Sequence, residues 1–323
     1  MRTSLYSRTR VLFLSTVLSF AFLVAPSLAL TKKQLENVAQ AVRKLTKVEG
    51  PNPGQTFEQF YQGLSVNGKR GFAVLMRSGS KRPGVQRAEA VMARLRRLES
   101  DVFAGHPTLD GKTLESFLDD VGELDIHIRS LGSESQDEFE VVLRSIAPKV
   151  SRGADAGKSM KSVKGAVGEI VESLHVHKAG GQLDKFQPRF QGRLFREGLY
   201  SGTYKTISGP FYLEVKNWEF FAKNSPRRAR KAMGDQVHSH FRRLSENGML
   251  PSKNVSSWDG LVFRFSAPAK GTKEYKELSA TIRVATAFRV RNILKKKFGV
   301  EDEAELRGLV KEFMENRLLI ESA

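Results

Sequence analysis

The stretch "GPFYLEVKNW", residues 209–218, predicts a strand that carries two ionisable side chains on one face. Successive side chains of a strand point to opposite faces, so residues two apart share a face. Glu214 and Lys216 therefore point the same way. The other face takes Phe211, Leu213 and Val215. A strand so rich in aromatic and branched residues is typical of a central strand, where an acid beside a base indicates either a functional site or a weak ion pair.

The chain has 323 residues, enough for two domains. Helical patterns recur in the first half, at about residues 31–47, 84–103, 112–131 and 136–146. We therefore predict an all-helical region over 30–150. Residues 148–159, "PKVSRGADAGKS", have few large apolar side chains and resemble a linker. Strands appear beyond it, and we predict an α/β domain over 151–323.

Charge is the unusual feature of the composition. The chain has 53 Lys and Arg against 35 Asp and Glu, a net charge of +18. Such a field attracts polyanions, and we predict nucleic acid as partner; an anionic membrane surface or an acidic protein are the alternatives. The chain has no cysteine, which excludes disulfides, zinc–thiolate sites and thiol nucleophiles.

The first 29 residues predict a secretory signal peptide. Arginines precede an uncharged run from Val11 to Leu30, and small residues at Ser27 and Ala29 suit cleavage after Ala29. We therefore expect a secreted protein. An uncleaved signal anchor that tethers the protein to a membrane, and a mitochondrial presequence, are the alternatives.

The second half has the order helix, strand, strand, strand, helix, strand, helix, helix. The first helix, "SMKSVKGAVGEIVESLHV", has an apolar stripe with Glu169 beside it. "LDKFQPRFQ" and "RLFREGLYSGTYK" predict the first two strands, and residues 209–218 the third. The next helix begins after the cap residue Ser225 and ends near Gly248. "SWDGLVFRFSA" predicts a fourth strand, and the last two segments, from Lys273 and from Asp302, predict helices that run to about residue 319.

In this order the segment at about residues 157–267 resembles the PD-(D/E)XK nuclease superfamily, which has the restriction-endonuclease-like fold. The resemblance matches Glu169 to the glutamate of the first helix, and Glu214 and Lys216 to the (D/E)xK element. Gln236 matches the glutamine that some branches carry in the next helix. The acid of the second strand is usually aspartate, whereas "REGLY" supplies Glu197; Asp184 is the fallback acid.

The resemblance implies a mixed sheet flanked by helices and a Mg²⁺-dependent nuclease, with Mn²⁺ as a substitute and DNA favoured over RNA. It assigns the metal to Glu197, Glu214, the Val215 carbonyl and Glu169, because hard cations prefer oxygen ligands. Lys216 would deprotonate or orient the water, or stabilise the developing charge. Gln236 would position the nucleophile or a phosphate. A protein that keeps the fold but only binds nucleic acid is the alternative, since Glu197 departs from the usual aspartate.

Basic residues surround Gln236 and predict a nucleic-acid-binding helix. We assign to this interface Arg227, Arg228, Arg230, Lys231, Arg242, Arg243 and, for stacking on bases, Trp218. Phe220 and Phe221 follow Trp218, and core packing is the simpler interpretation of both. His240, one helical turn after Gln236, is predicted to touch the substrate. Zinc binding by His175 with His177, or by His238 with His240, is a minor alternative, because residues two apart diverge on a helix.

Overall fold

The computed structural model describes most of the chain beyond residue 49. The described residues are 40, 50–51, 54–78, 85–104, 109, 111–147, 160–190, 193–194, 196–216, 225–266 and 269–322. The predicted signal peptide and linker, nearly all of the helix at 31–47, and Trp218, Phe220 and Phe221 lie outside these residues. No helix in the described part of the chain is long and apolar enough to cross a membrane.

Five helices form the first half of the described chain. They are α1 (Phe57–Gly63), α2 (Val66–Arg77), α3 (Val85–Leu98, continued by a π-helical turn, Glu99–Phe103), α4 (Leu114–Ser130) and α5 (Ser133–Ile146). Side chains cap three of the helix starts: Thr56 on α1, Ser65 on α2 and Thr113 on α4. The helical prediction is confirmed for the described residues between 57 and 146, and α1 and α2 are two helices that the sequence patterns did not predict.

Helices α2 and α4 cross at a pair of glycines. A Cβ atom on Gly71 would lie 2.0 Å from the Leu118 main-chain oxygen, and one on Gly122 would lie 2.0 Å from that of Asn67. Real Cβ atoms essentially never come within 3.0 Å of such an atom. The two backbones therefore approach to a distance that only glycine allows at these positions.

The second half is built on a six-stranded mixed sheet. Its elements are α6 (Met160–Lys178), β1 (Gly181–Phe186), the short hairpin β2 (Arg189–Phe190) and β3 (Arg193–Leu194), β4 (Gly198–Tyr204), β5 (Ile207–Ser208), β6 (Phe211–Lys216), α7 (Pro226–Glu246), β7 (Gly260–Phe265), α8 (Lys273–Phe298), α9 (Glu303–Asn316) and β8 (Leu318–Ser322). The strand order is β1–β4–β6–β7–β8, with β5 paired to β4. Pairs β1–β4 and β4–β6 are antiparallel, whereas β6–β7 and β7–β8 are parallel.

Helices cover both faces of this sheet. One buried cluster joins α1–α5 and α6 to the face that carries Leu213 and Val215. The other joins α7, α8 and α9 to the face that carries Tyr212, Phe263 and Phe265. The five amino-terminal helices thus share one hydrophobic core with the sheet. The predicted α/β class, a mixed sheet flanked by helices, is confirmed.

The end of the described chain differs from the prediction. The sequence pattern extends the last helix to about residue 319, but α9 ends at Asn316 and Leu318–Ser322 forms β8, parallel to β7. The helical prediction for these residues was wrong because a strand that follows a helix after one residue leaves no turn signal between them. Edge pairing with β7 decides their conformation instead.

A buried ionic network fastens β8 to the rest of the sheet. Arg264 of β7 is 4% exposed and lies 2.6 Å from the carboxylate of Glu172 in α6. Its guanidinium also pairs with Glu321 of β8 and donates to the Tyr204 hydroxyl at 2.7 Å. Arg264 therefore balances the charge of the buried Glu172 and shares that of Glu321 with Lys205.

Candidate functional site

The predicted acid–base pair of β6 lies at one end of the sheet. Glu214 is 3% exposed, and its carboxylate pairs with the Lys216 amino group, as expected for two residues on the same strand face. Lys216 also donates to the Val215 carbonyl at 3.1 Å, and the main chain of Ser266, just after β7, donates to the Lys216 carbonyl at 3.0 Å. Main-chain contacts at the carboxyl ends of β6 and β7 therefore hold Glu214 and Lys216 in place.

Glu197 comes to the same place from the neighbouring strand. It directly precedes β4, whose Gly198 pairs with Leu213 of β6. The Val215 main-chain N–H donates to the Glu197 carboxylate at 3.1 Å. The side chain therefore turns toward β6, next to Glu214, and the shared role of Glu197 and Glu214 in metal binding stays a prediction.

Glu169 reaches the site from α6. Its carboxylate accepts a hydrogen bond from the Gln187 side-chain amide at 2.7 Å. Gln187 follows β1, is buried, and has a positive φ of 46°, which is strained for a non-glycine residue. Its main-chain N–H donates to the Glu197 carbonyl at 2.9 Å, so one strained residue contacts two of the three glutamates.

The three glutamates share one electrostatic environment. Burial, followed by the nearby Glu214 charge, raises the pKa of Glu197 to about 8. Burial also raises the pKa of Glu169 to about 7, with a smaller contribution from Glu214 and against the attraction of Lys216. Burial alone would raise the pKa of Glu214, but Lys216 and Arg196 outweigh it and lower that pKa. Burial therefore favours the neutral forms of Glu169 and Glu197, whereas Lys216 and Arg196 favour the charged form of Glu214.

Lys216 is a cation in this setting. Burial lowers its pKa, but the carboxylates of Glu214 and Glu197 outweigh burial and raise the pKa above its ordinary value. A lysine with a raised pKa holds its proton at neutral pH. A raised pKa suits the predicted role of Lys216 in stabilising negative charge better than its role as a base, and both roles stay predictions.

Sequence reasoning missed two members of the site, Gln187 and Arg196. Arg196 is 6% exposed; its Nε lies 3.2 Å from a Glu214 carboxylate oxygen, and its Nη2 donates to the Gln236 main-chain oxygen at 3.0 Å. The only sequence signal for Arg196 is its position beside Glu197, at the start of a strand. Gln187 has no periodic signal, because it lies in the turn after β1.

Gln236 lies beside this cluster, on α7. Its main-chain oxygen accepts from Arg196, while its side-chain oxygen is buried without a hydrogen-bond partner among the described residues. His240, one turn further, does not reach a substrate surface. It is fully buried and packs edge-on against Tyr212 and Phe241, with ring centroids 5.5 and 5.3 Å away. The prediction that His240 touches substrate was therefore wrong.

Asp184, the fallback acid, has a different partner. It lies in an irregularity of the β1–β4 pairing, and its carboxylate accepts from the Ser201 hydroxyl at 3.0 Å. Glu197, and not Asp184, is the acid that contacts β6 beside Glu214. Of the histidine pairs, His177 lies against His127 of α4, with ring centroids 4.0 Å apart.

The basic side chains of the predicted nucleic-acid interface on α7 differ: some are exposed to solvent, and others contact groups of the protein itself. Arg227, Arg228 and Lys231 are exposed near the start of α7. Arg230 pairs with Glu277 of α8, and Arg243 donates to the Leu194 main-chain oxygen at 3.1 Å. Arg242 is exposed, 3.8 Å from Glu246. The assignment of these residues to nucleic acid remains a prediction.

The donor set of the site suits a hard divalent cation in its chemistry. Glu169, Glu197 and Glu214 supply carboxylate oxygens, and burial is the main cause of the raised pKa values of Glu169 and Glu197. Within the described residues, however, no three acidic, histidine or cysteine side chains are already arranged to hold a metal ion. Glu214 instead directs its two oxygens toward Lys216 and Arg196.

Comparison of the chain with protein-family models, with curated proteins and with solved structures finds no match. The residues of the site and their geometry therefore carry the functional argument.

Proposed function

We propose that this protein is a Mg²⁺-dependent nuclease, exported through its amino-terminal signal, with a restriction-endonuclease-like core. The observation that carries the proposal is the convergence of Glu169, Glu197, Glu214 and Lys216 at one end of a mixed sheet. These four residues come from three separate segments, α6, the start of β4 and β6, and the sequence motif includes all four. The order of glutamate-bearing helix, acid, Glu-x-Lys strand and glutamine-bearing helix supports the same fold.

The side chains suit hydrolysis of a phosphodiester bond. Glu197 and Glu214 would hold the divalent ion, with Glu169 completing the shell directly or through a water molecule. The ion, when bound, would supply Lewis-acid stabilisation of the scissile phosphate. Lys216, held protonated by the carboxylates, would stabilise negative charge on the phosphate as it builds up. The buried Gln236 side-chain oxygen would accept a hydrogen bond from the attacking water.

The charge of the chain supports nucleic acid as the substrate class. A net charge of +18 attracts a polyanion, and α7 places exposed Arg227, Arg228 and Lys231 on the helix that also carries Gln236. Phosphate contacts of this kind position a strand without reading its sequence. We therefore propose non-specific cleavage, with DNA as the first substrate to test.

The test is cleavage of linear and plasmid DNA by the mature chain with Mg²⁺ and with EDTA. Glu214→Ala and Lys216→Ala are each expected to abolish cleavage while DNA binding persists. The matched controls are Lys311→Ala and Glu315→Ala, which break an exposed ion pair on α9 and are expected to cleave normally. Full activity in both β6 variants, or intact DNA with a wild-type protein that binds it, would contradict the proposal.

A binding-only protein is the second candidate, and one observation favours it. The Glu214 carboxylate is already paired with two cations, Lys216 and Arg196, and no three-ligand group exists among the described side chains. Calorimetry separates the candidates. Saturable uptake of Mg²⁺ or Mn²⁺ supports the nuclease, whereas salt-dependent DNA binding without any metal uptake supports the binding protein.

A further inference from the structure

We propose that the outer surface shared by α7 and α8 binds single-stranded nucleic acid, with Phe288 of α8 stacking on an unpaired base. The inference rests on the proposed function for nucleic acid as the partner, and it goes further by naming the strandedness and a second contact surface. It involves no metal ion and none of the glutamates of the candidate site. Its evidence is an exposed aromatic ring beside basic side chains of two neighbouring helices.

Phe288 has an unusual position for a side chain of its type in this protein. Of the phenylalanine and tryptophan side chains that the structure describes, only Phe288 is exposed, at 55%. Val284, one helical turn earlier, is 70% exposed, so the two side chains form an apolar step on the outside of α8. The opposite face of the helix is buried through residues such as Ile282 and Val290. The core therefore holds α8 without Phe288, and the ring is accessible to a ligand.

A guanidinium lies over this ring. The Cζ atom of Arg289 is 5.3 Å from the centre of the Phe288 ring, within the range of a cation–π contact. Arg289 forms no ion pair with any acidic residue in the described part of the chain, so its charge is open to an external anion. The ring offers a flat apolar surface to a base, and the guanidinium offers donors to a phosphate. The two side chains together match one nucleotide.

The positive charge continues from α8 onto α7. Burial, and then the charges of Arg289 and Arg242, lower the pKa of His238, which places an arginine of each helix close to this histidine. Arg242 is exposed, and its nearest acid is Glu246 at 3.8 Å, a long contact that a phosphate could replace. The side chains of α7 and α8 therefore form one continuous basic surface next to Phe288.

The same face of α7 extends toward the start of the helix. Lys231, His238 and Arg242 follow at spacings of seven and four residues, so they lie on one side of the helix. Lys231 is exposed, and Asp235 is the acid that lies among them. Helix α7 also carries Gln236, whose main-chain oxygen accepts a hydrogen bond beside the glutamate cluster. A strand bound along this row would follow the outside of a helix that supports the candidate site.

An exposed ring of this kind favours a single strand over a duplex or a membrane. Bases in a duplex stack on one another and leave only phosphates for a basic surface, whereas unpaired bases stack on aromatic side chains. A helix that lies on a membrane buries a continuous apolar face along its length. The large exposed apolar side chains of α8, Val284 and Phe288, occupy a single turn. Their basic surroundings therefore match unpaired nucleotides best.

The experiment measures binding of fluorescein-labelled oligonucleotides to the full mature chain by fluorescence anisotropy. EDTA is present throughout, so that neither cleavage nor metal binding contributes. Phe288→Ala should weaken binding of single-stranded oligothymidine by about tenfold and binding of a duplex by less than about twofold. Phe288→Trp keeps a stacking ring and should bind the single strand at least as tightly as the wild type. Circular dichroism checks that each variant folds, which we expect because residue 288 is exposed.

Arginine variants test the charged part of the surface. The logarithm of the binding constant for a single strand falls with the logarithm of salt concentration by about 0.7 per phosphate contact. Arg289→Gln and Arg242→Gln should therefore each reduce this slope by about 0.7. If Phe288→Ala fails to fold, these two variants and Phe288→Trp decide.

Two control variants lie on helices that cover the other face of the sheet. Val141→Ala shortens an exposed apolar side chain of α5, and Arg97→Gln removes an exposed arginine from α3. Both should bind the single strand and the duplex with wild-type affinity and salt dependence.

The outcomes are distinct. Unchanged single-strand binding by folded Phe288→Ala, or an equal loss for single strand and duplex, would overturn the stacking surface and leave the nuclease proposal standing. A wild type that binds neither oligonucleotide at low salt would overturn both proposals; binding to vesicles of anionic phospholipid would then identify a membrane as the partner. Single-strand binding that depends on Phe288, in a protein that cleaves nothing with Mg²⁺, would support this inference and contradict only the nuclease proposal.

Discussion

The crossing of α2 and α4 gives the sharpest test of the structure itself. Replacing Gly71 with alanine places a Cβ atom 2.0 Å from the Leu118 main-chain oxygen, where 3.0 Å is the practical minimum. The helices must therefore separate by about 1 Å, since the positions of the Cβ atom and of the carbonyl oxygen are both fixed by the helix backbones. Overpacking of this kind costs about 3 kcal/mol. Alanine returns about 1 kcal/mol through its higher helix propensity. We expect a net loss of about 2 kcal/mol in the free energy of unfolding.

Gly308→Ala is the matched control for this prediction. Gly308 lies inside α9, is exposed, and has no atom within 4 Å of the position that a Cβ would take. Only the propensity gain applies there, so the variant should be more stable by up to about 1 kcal/mol. Urea unfolding of both variants, followed by circular dichroism, measures the difference. Equal stability of Gly71→Ala and the wild type, with unchanged dependence on urea, would refute the close crossing.

Three further predictions concern charge and pH. Because the pKa values of Glu197 and Glu169 are about 8 and about 7, Mn²⁺ binding should release about 1.4 protons at pH 7 and almost none at pH 9, measured by calorimetry in buffers of different ionisation enthalpy. Burial, and next the charge of His177, lower the pKa of His127 in the folded state. Below about pH 6.5 the unfolded chain therefore binds more protons than the folded chain, and the free energy of unfolding should decrease as the pH is lowered. His127→Phe should reduce that fall in urea titrations at pH 7.5 and 5.5. Arg264→Met leaves the buried Glu172 without its arginine partner and Glu321 with Lys205 alone, and should cost about 3–5 kcal/mol in urea unfolding.

Short-range patterns predicted much of the fold, and each confirmed element has a local cause. The alternation in residues 211–216 predicted β6, because one face had to be apolar. Ser225 and Pro226 predicted the start of α7, since a side-chain cap and an N1 proline act within one turn. Elements whose conformation depends on distant partners were not predicted. Strand β8 is the example, because its pairing with β7 bridges more than 50 residues.

The sequence predicted the positions of those site residues whose spacing along the chain determines which face of a strand or helix they occupy. Glu214 and Lys216 share a face by strand periodicity, which the sequence states directly. That Glu197, rather than Asp184, lies beside them follows from the antiparallel pairing of β4 with β6, and spacing alone does not give that register. Arg196 and Gln187 act through main-chain and side-chain contacts between elements far apart in the chain. No periodic pattern marks such residues.

The hydrophobic core shared by the amino-terminal helices and the sheet bears on how such a protein can be divided. Phe139 of α5 packs edge-on against Phe186 of β1, and Ser135 accepts the Phe186 N–H at 3.1 Å. A fragment that begins at residue 151 would expose this apolar surface to water, together with the buried apolar face of α6. We therefore expect such a fragment to aggregate rather than to act as a minimal enzyme. In evolutionary terms, the two halves would have to be inherited together, since neither could be exchanged for an unrelated module without rebuilding the other.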